Sequence, residues 1–223
     1  SENSDVTLLE KYISLDNRDF FTNSLIEIYM EEGSKVELLK LQTESQKTTH
    51  ISSLGILQKN NSNINCHTIT IGGELTRNNI YVNLIGDGSE CNLNGLSILN
   101  DKQVADNHNI VEHNAPYTQS SEYYKGIYNN YSKGVFDAKI IVNNNAIKTS
   151  SEQYNKNILL SDNASVNSNP RLEILTDDIA CKHGSTTGQL DEEALFYLKS
   201  RGFSYFESKK ILLNGFSYEV LGK

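Results

Sequence analysis

From residue 6 to about residue 180, apolar and polar side chains alternate in short runs. Leu25-Ile26-Glu27-Ile28-Tyr29-Met30, Ile80-Tyr81-Val82-Asn83-Leu84-Ile85 and Val135-Phe136-Asp137-Ala138-Lys139-Ile140-Ile141-Val142 are typical. Each run is rich in β-branched or aromatic residues and bounded by Gly, Asn, Asp or Ser, the pattern of short strands. A corner motif recurs in Gly33-Ser34-Lys35-Val36, Asn61-Ser62-Asn63-Ile64 and Gly88-Ser89-Glu90-Cys91, which spaces Ser34, Ser62 and Ser89 by 28 and 27 residues. Weaker echoes stand at Lys133-Gly134-Val135 and Ala164-Ser165-Val166. A fixed period in this range points to stacked repeats. The alternative is a β-sandwich of regular hairpins, but Asn-Gly and Asp-Gly turns are nearly absent. The expected fold is mainly β: a parallel β-helix of about seven coils of ~25 residues, with inward Leu, Ile and Val and with Asn ladders at the corners. The last coil of such a rod leaves backbone N–H and C=O groups unpaired, so a cap or a partner must cover it.

The period then changes. Gln189 to Gly202 carries acids in its first turn (Asp191, Glu192, Glu193), bases in its last (Lys199, Arg201) and a glycine after them, which predicts a helix. Ser204-Tyr205-Phe206-Glu207 is a capping box that opens a second helix, with Ile211, Leu212, Phe216 and Val220 as its apolar positions. Residues 1–188 are therefore expected to form the β-helix core and 189–223 a helical hairpin. The apolar stripe of that hairpin serves either to cap the rod or to dock on another protein.

Composition adds mainly exclusions. The 20 basic and 28 acidic residues leave a net charge of -8 without a basic run, which argues against nucleic acid and anionic membranes as partners. No apolar stretch reaches the ~18 residues of a membrane span. Cys66, Cys91 and Cys181 show no compact disulfide spacing and no secretory leader opens the chain, so a reducing, cytoplasmic setting is expected. No Walker-type phosphate loop and no Gly-x-Ser-x-Gly elbow occurs. Gly72-Gly73 and Gly86-Asp87-Gly88 follow strands without a helix behind them and read as corners.

Three sets of residues carry candidate chemistry. Cys181 and His183 stand at i and i+2, on one face of a strand. Two donors are too few for a closed zinc or iron–sulfur site. A buried cysteine beside a surface histidine also accounts for the pair; a ligand role needs a partner to complete the coordination. His108 and His113, with Asp106 and Glu112 nearby, are spaced by five, which suits no strand face. His50 and His67 stand alone, and Cys66 and Cys91 fall at core positions of the repeat. Asp177-Asp178 together with Tyr123, Tyr124 and Tyr128 allows an alternative, a polysaccharide-active β-helix enzyme, which needs a groove of acids and aromatics.

The stretch from Cys181-Lys182-His183-Gly184 through Leu190-Asp191-Glu192-Glu193-Ala194-Leu195-Phe196 to Ser200-Arg201-Gly202 resembles the signature of the SufB/SufD family of iron–sulfur cluster assembly proteins. Upstream, Pro170-Arg171-Leu172-Glu173-Ile174, Tyr124-Lys125-Gly126, Gly134-Val135-Phe136 and Phe20-Phe21-Thr22-Asn23 are similar too, so the likeness covers the whole chain. Cys181-Lys182-His183-Gly184 is closest to the SufD type, with Lys182 where serine is usual and with its side chain expected to face solvent. The resemblance implies a fragment lacking an N-terminal region and folded as a right-handed parallel β-helix. It implies a non-catalytic scaffold of the SufBCD complex that pairs with SufB through the C-terminal end of the rod. The C-terminal helices would dock the SufC ATPase through Phe206, Ile211, Leu212 and Phe216. His183, with Cys181 beside it, would take part in cluster assembly at the SufB interface. No cofactor is expected to stay on this chain: the cluster forms transiently in the complex, ATP is used by SufC, and a homodimer is conceivable in isolation.

Overall fold

The computed structural model of the chain describes residues 1–222; Lys223, the last residue of the expected hairpin, lies outside them. Thirteen strands are followed by two helices. Strands β1 (Asp5–Tyr12), β3 (Lys35–Gln42), β5 (Asn63–Thr70), β7 (Glu90–Leu99), β9 (Gln119–Tyr128), β11 (Thr149–Leu159) and β13 (Ile179–Gly188) stack in that order into one parallel sheet. Strands β2 (Phe20–Met30), β4 (Thr48–Gln58), β6 (Leu75–Leu84), β8 (Val104–His113), β10 (Lys133–Val142) and β12 (Ser165–Ile174) stack likewise into a second. The chain alternates between the sheets, one strand of each per coil, and so forms a β-solenoid.

The coils are longer and fewer than the sequence pattern suggested. Lys35 pairs with Asn63, 28 residues on, whereas Gln119 pairs with Ser150, 31 on. Each coil has two long strands in place of several short ones, so the chain makes six turns, a rod of about 30 Å at ~4.8 Å per turn.

The corner motif has a physical basis that extends past the three serines that revealed it. Asn3, Gly33, Asn61, Gly88, Tyr117 and Lys148 all have positive φ, and each is followed by Ser or Thr. The hydroxyls of Ser4, Ser34, Ser62, Ser89, Thr118 and Thr149 all donate to the carbonyl three residues back, at 2.7–3.1 Å. A left-handed residue turns the chain and the hydroxyl clasps the carbonyl three residues back, which at Ser34, Ser62 and Ser89 also accepts from the backbone amide of the same residue. Ser62→Ala is therefore expected to cost about 1 kcal/mol, because Ser62 is fully buried and its hydroxyl also accepts from Gln58 Nε2 at 3.3 Å. Urea unfolding checks this; an unchanged midpoint would show that the corner does not need the hydroxyl. The expected asparagine ladder also forms: Asn143 donates to Asn114 and Asn114 to Asn83.

Ile64, Leu93, Val82, Leu84, Val111 and Ile140 fill the space between the sheets, with Cys66 and Cys91 among them as small core residues. The interior is not wholly apolar. Lys40 reaches Ser52 and Asn78, and Glu44 lies 2.7 Å from His50 Nδ1 and accepts from Thr22 and Gln42. Burial brings the Lys40 ammonium down to about 8.

After β13, helix α1 (Glu192–Ser200) starts at Asp191, whose carboxylate accepts from the Glu193 and Ala194 amides. Helix α2 (Tyr205–Leu221) opens on the Ser204/Glu207 capping box. The hairpin does not cover the end of the rod. Instead α2 lies along the outer side of the first sheet, where Val220 packs against Leu96 and Tyr123. Lys125 Nζ, its side chain almost fully buried, donates to the Phe216 carbonyl at 2.9 Å and to Glu219.

Candidate functional site

The last coil sets the geometry of the candidate site. Along β11 the inward positions are Ser151, Gln153, Asn155 and Asn157, all buried. Register places Cys181 above Ser151 and His183 above Gln153. Both side chains therefore stand on the inward face of β13, at the open mouth of the rod, as their i, i+2 spacing predicted. Strands β13 and β12 end their sheets, and among the described residues no strand pairs with their outer edges. Across the mouth, Ser185 Oγ donates to Ser168 Oγ at 2.8 Å, and His183 Nδ1 lies 3.1 Å from the Pro170 carbonyl.

That carbonyl can only accept, so Nδ1 carries a proton, and in the neutral ring the lone pair is on Nε2. His183 is exposed and presents a ligating nitrogen. Cys181 is half-buried against the end of the core, and burial pushes its thiol up, with a backbone hydrogen bond at Ser151 pulling weakly the other way. It becomes a thiolate readily only when a cation arrives. Lys182 points outward between the two and pairs with Glu152 at 2.6 Å, so it does not intrude on the mouth. Among the described residues no cluster of three or more His, Cys, Asp or Glu is placed to hold a metal ion. The mouth thus offers two donors of different softness and an incomplete coordination shell.

The other candidates separate. His108 and His113 fall on opposite faces of β8: His108 lies 2.7 Å from Asp106 on the outside, while His113 is buried, with its ring nitrogens on Thr118 and Ser120. Burial lowers His113 to about 4, so it is neutral core. The acids and aromatics of the polysaccharide reading do not converge. Asp178 pairs with Lys148 at a corner, Tyr124 and Tyr128 are in the core, and Tyr123 lies under α2.

The docking positions on α2 also divide. Phe206 is 75% exposed and Ile211 41%. Leu212 is half-buried, and Phe216 turns toward the rod with Lys125 Nζ 4.0 Å above its ring. Between α2 and the first sheet runs a groove of about 550 Å³, floored by Ile71, Ile98 and Ile127 and walled by Phe206, Lys209 and Leu213. Two buried residues behind the mouth, Glu122 and Gln153, were not legible as site residues. Gln119 to Gly126 does not alternate in polarity, and only the coil length aligns Glu122, Gln153 and His183 in one column.

Residues 1–216 match the family model described as SUF system FeS cluster assembly, SufBD core domain. The chain belongs to the SufBD core family. Its similarity to curated members extends over its whole length. It is 31% identical over 227 residues to an iron–sulfur cluster assembly SufBD family protein of Synechocystis, covering 98% of this chain and 50% of that protein. It is 30% identical over 220 residues to the iron–sulfur cluster assembly protein SufD of Escherichia coli (99% and 52%). It is 29% identical over 224 residues to the chloroplastic protein ABCI7 of Arabidopsis thaliana (100% and 47%). The chain spans about half the length of these relatives. In this chain Cys181-Lys182-His183-Gly184 lies on the last strand of the solenoid. Among the described residues no helix is long and apolar enough to cross a membrane.

Proposed function

We propose that this SufBD core is a non-catalytic scaffold of cytoplasmic iron–sulfur cluster assembly, with the mouth of the rod as a half-site for the cluster. The observation that carries the reading is the pairing of two inward donors, Cys181 and His183, with unpaired strand edges on the same coil. Iron and sulfide are cargo here, and a second protein closing the edge would supply the missing ligands. SufB, joined end to end through β12 and β13, is the partner that fits. In isolation the same edges suit a second copy of the chain, which a solution mass measurement would detect as a dimer. The test of the half-site is replacement of His183 in the reconstituted complex.

The SufC ATPase is assigned to the exposed apolar positions of α2, Phe206 at the rim of the groove and Ile211 beyond it. Phe206 and Ile211 are exposed apolar side chains on a helix that Lys125 and Val220 hold firmly to the rod. Phe206→Asp is expected to weaken co-purification with SufC by about 30-fold, the loss of one interface anchor of ~2 kcal/mol, without lowering the melting temperature. Undiminished binding by this variant would remove the docking assignment. Phe216→Ala is the wrong probe, because it loosens α2 itself. Deleting the helix would likewise uncover Lys125, Leu96 and Tyr123.

A further inference from the structure

Inside the rod, the column that ends at His183 runs Leu38, Cys66, Leu93, Glu122, Gln153. A carboxyl where Leu and Cys stand in other coils has a high desolvation cost, and an apolar side chain would pack there without it. Glu122 is fully buried, and no cation is among the described groups that hold it. Its partners are two amides: Asn109 Nδ2 donates to Oε2 at 2.7 Å and Gln153 Nε2 donates to Oε1 at 3.1 Å. The other ends of both amides, Asn109 Oδ1 and Gln153 Oε1, are buried and have no partner.

Two donors on one carboxylate, each with an orphaned acceptor behind it, suit the ionised acid only. A protonated carboxyl has one O–H to give, and giving it to either amide oxygen would satisfy both groups. The proton belongs on Oε1, where the existing hydrogen bond is the longer and weaker of the two. Gln153 must then turn its amide over, so that Oε1 accepts from Glu122 and the NH₂ group faces the next position in the column. That position is His183.

We propose that Glu122 is a buried proton-binding site whose occupancy turns the Gln153 amide and so changes the polar floor beneath His183. With the proton absent, Gln153 presents an acceptor toward the mouth; with it bound, a donor. The proton comes from water and returns to it, and no other reactant is needed. Glu122 and Gln153 are positioning residues that act through the amide. The facing groups are otherwise silent. Asn109 and Gln153 are neutral, and burial keeps both the Cys91 thiol and the Tyr124 hydroxyl protonated. Burial also raises the Glu122 carboxyl to about 7, against the opposing pull of its two amide donors, which puts the change near neutrality. The functional consequence for the mouth rests on the half-site reading above; the proton site itself does not.

The test is nuclear magnetic resonance of the full chain labelled with ¹⁵N-glutamine, followed from pH 5.5 to 8.5. The Gln153 side-chain NH₂ resonances are expected to shift with one midpoint near pH 7, and to lose that shift in Glu122→Gln. In His183→Ala the shift should persist, since its source is Glu122 and not the imidazole. Resonances that stay flat in the wild-type chain, or titrate unchanged in Glu122→Gln, would overturn the proposal. Should Glu122→Gln fail to fold, the infrared carbonyl band of a protonated buried carboxyl in wild-type protein decides. The band should grow as pH falls through 7, and its absence at pH 5.5 sinks the idea. Failure of the half-site reading is separately visible, as unchanged cluster formation by His183→Ala.

Discussion

Replacement of His183 by alanine is expected to lower the iron–sulfur cluster formed by the assembled complex at least tenfold, with the melting temperature of the chain almost unchanged. The imidazole is exposed, and its one described side-chain hydrogen bond is to the Pro170 carbonyl. Its removal therefore opens no cavity and orphans no buried donor. What disappears is the Nε2 nitrogen, left available in the neutral ring because Nδ1 donates to the Pro170 carbonyl. Losing even an orienting partner of a ligand typically costs 10–100-fold, and losing the ligand costs more. The measurement is cluster absorbance in the reconstituted complex beside a thermal melt of the variant alone. Lys182→Ala is the control, because its outward side chain only pairs with Glu152 in solvent. Equal yields from His183→Ala and wild type would exclude the histidine as a ligand. Cys181 gives a less clear answer, since its side chain also packs on the core and its loss would loosen the last coil.

The largest expected effect on stability comes from Gly86→Ala. A Cβ at Gly86 would lie 2.0 Å from the Asn60 nitrogen and 2.2 Å from the Lys59 carbonyl carbon, both backbone atoms of the coil below. Neither can yield by changing a rotamer. The Gly86 amide donates to the Gln58 carbonyl, and the Gly86 carbonyl accepts from Ser89. Relief of the clash must therefore prise two coils apart at a corner. A loss of about 3 kcal/mol, or roughly 10 °C in melting temperature, is expected. Gly215→Ala runs the opposite way. Gly215 lies inside α2 with open space around it, so alanine should stabilise the helix by up to about 1 kcal/mol. A Gly86→Ala protein that melts with wild type would contradict the stacking at this corner.

These glycines show what could be read in advance. Gly72-Gly73 and Gly86-Asp87-Gly88 were legible as corners, and so they are. Their division of labour was not. Gly73 and Gly88 supply positive φ, whereas Gly72 and Gly86 are small because another backbone passes directly over them. The corner serines show the same limit. Ser34, Ser62 and Ser89 betray the repeat because Gly or Asn precedes them; Thr118 and Thr149 do the same work behind Tyr117 and Lys148, residues that do not announce a left-handed turn. The coils run from 26 residues, between Thr49 and Leu75, to 32, between Lys133 and Ser165, in place of about 25.

By itself the sequence determined the elements: alternating strands, serine corners, two capped helices, and the shared face of Cys181 and His183. All are local, set by side-chain period and by hydrogen bonds within three or four residues. Only the tertiary structure decided that α2 lies along the side of the rod and leaves its end open. It splits Phe216 from Phe206, and it stands Glu122 and Gln153 in line behind His183. Those relations join residues about thirty apart or more. They depend on the exact length of every coil, because one residue gained or lost turns an inward side chain outward.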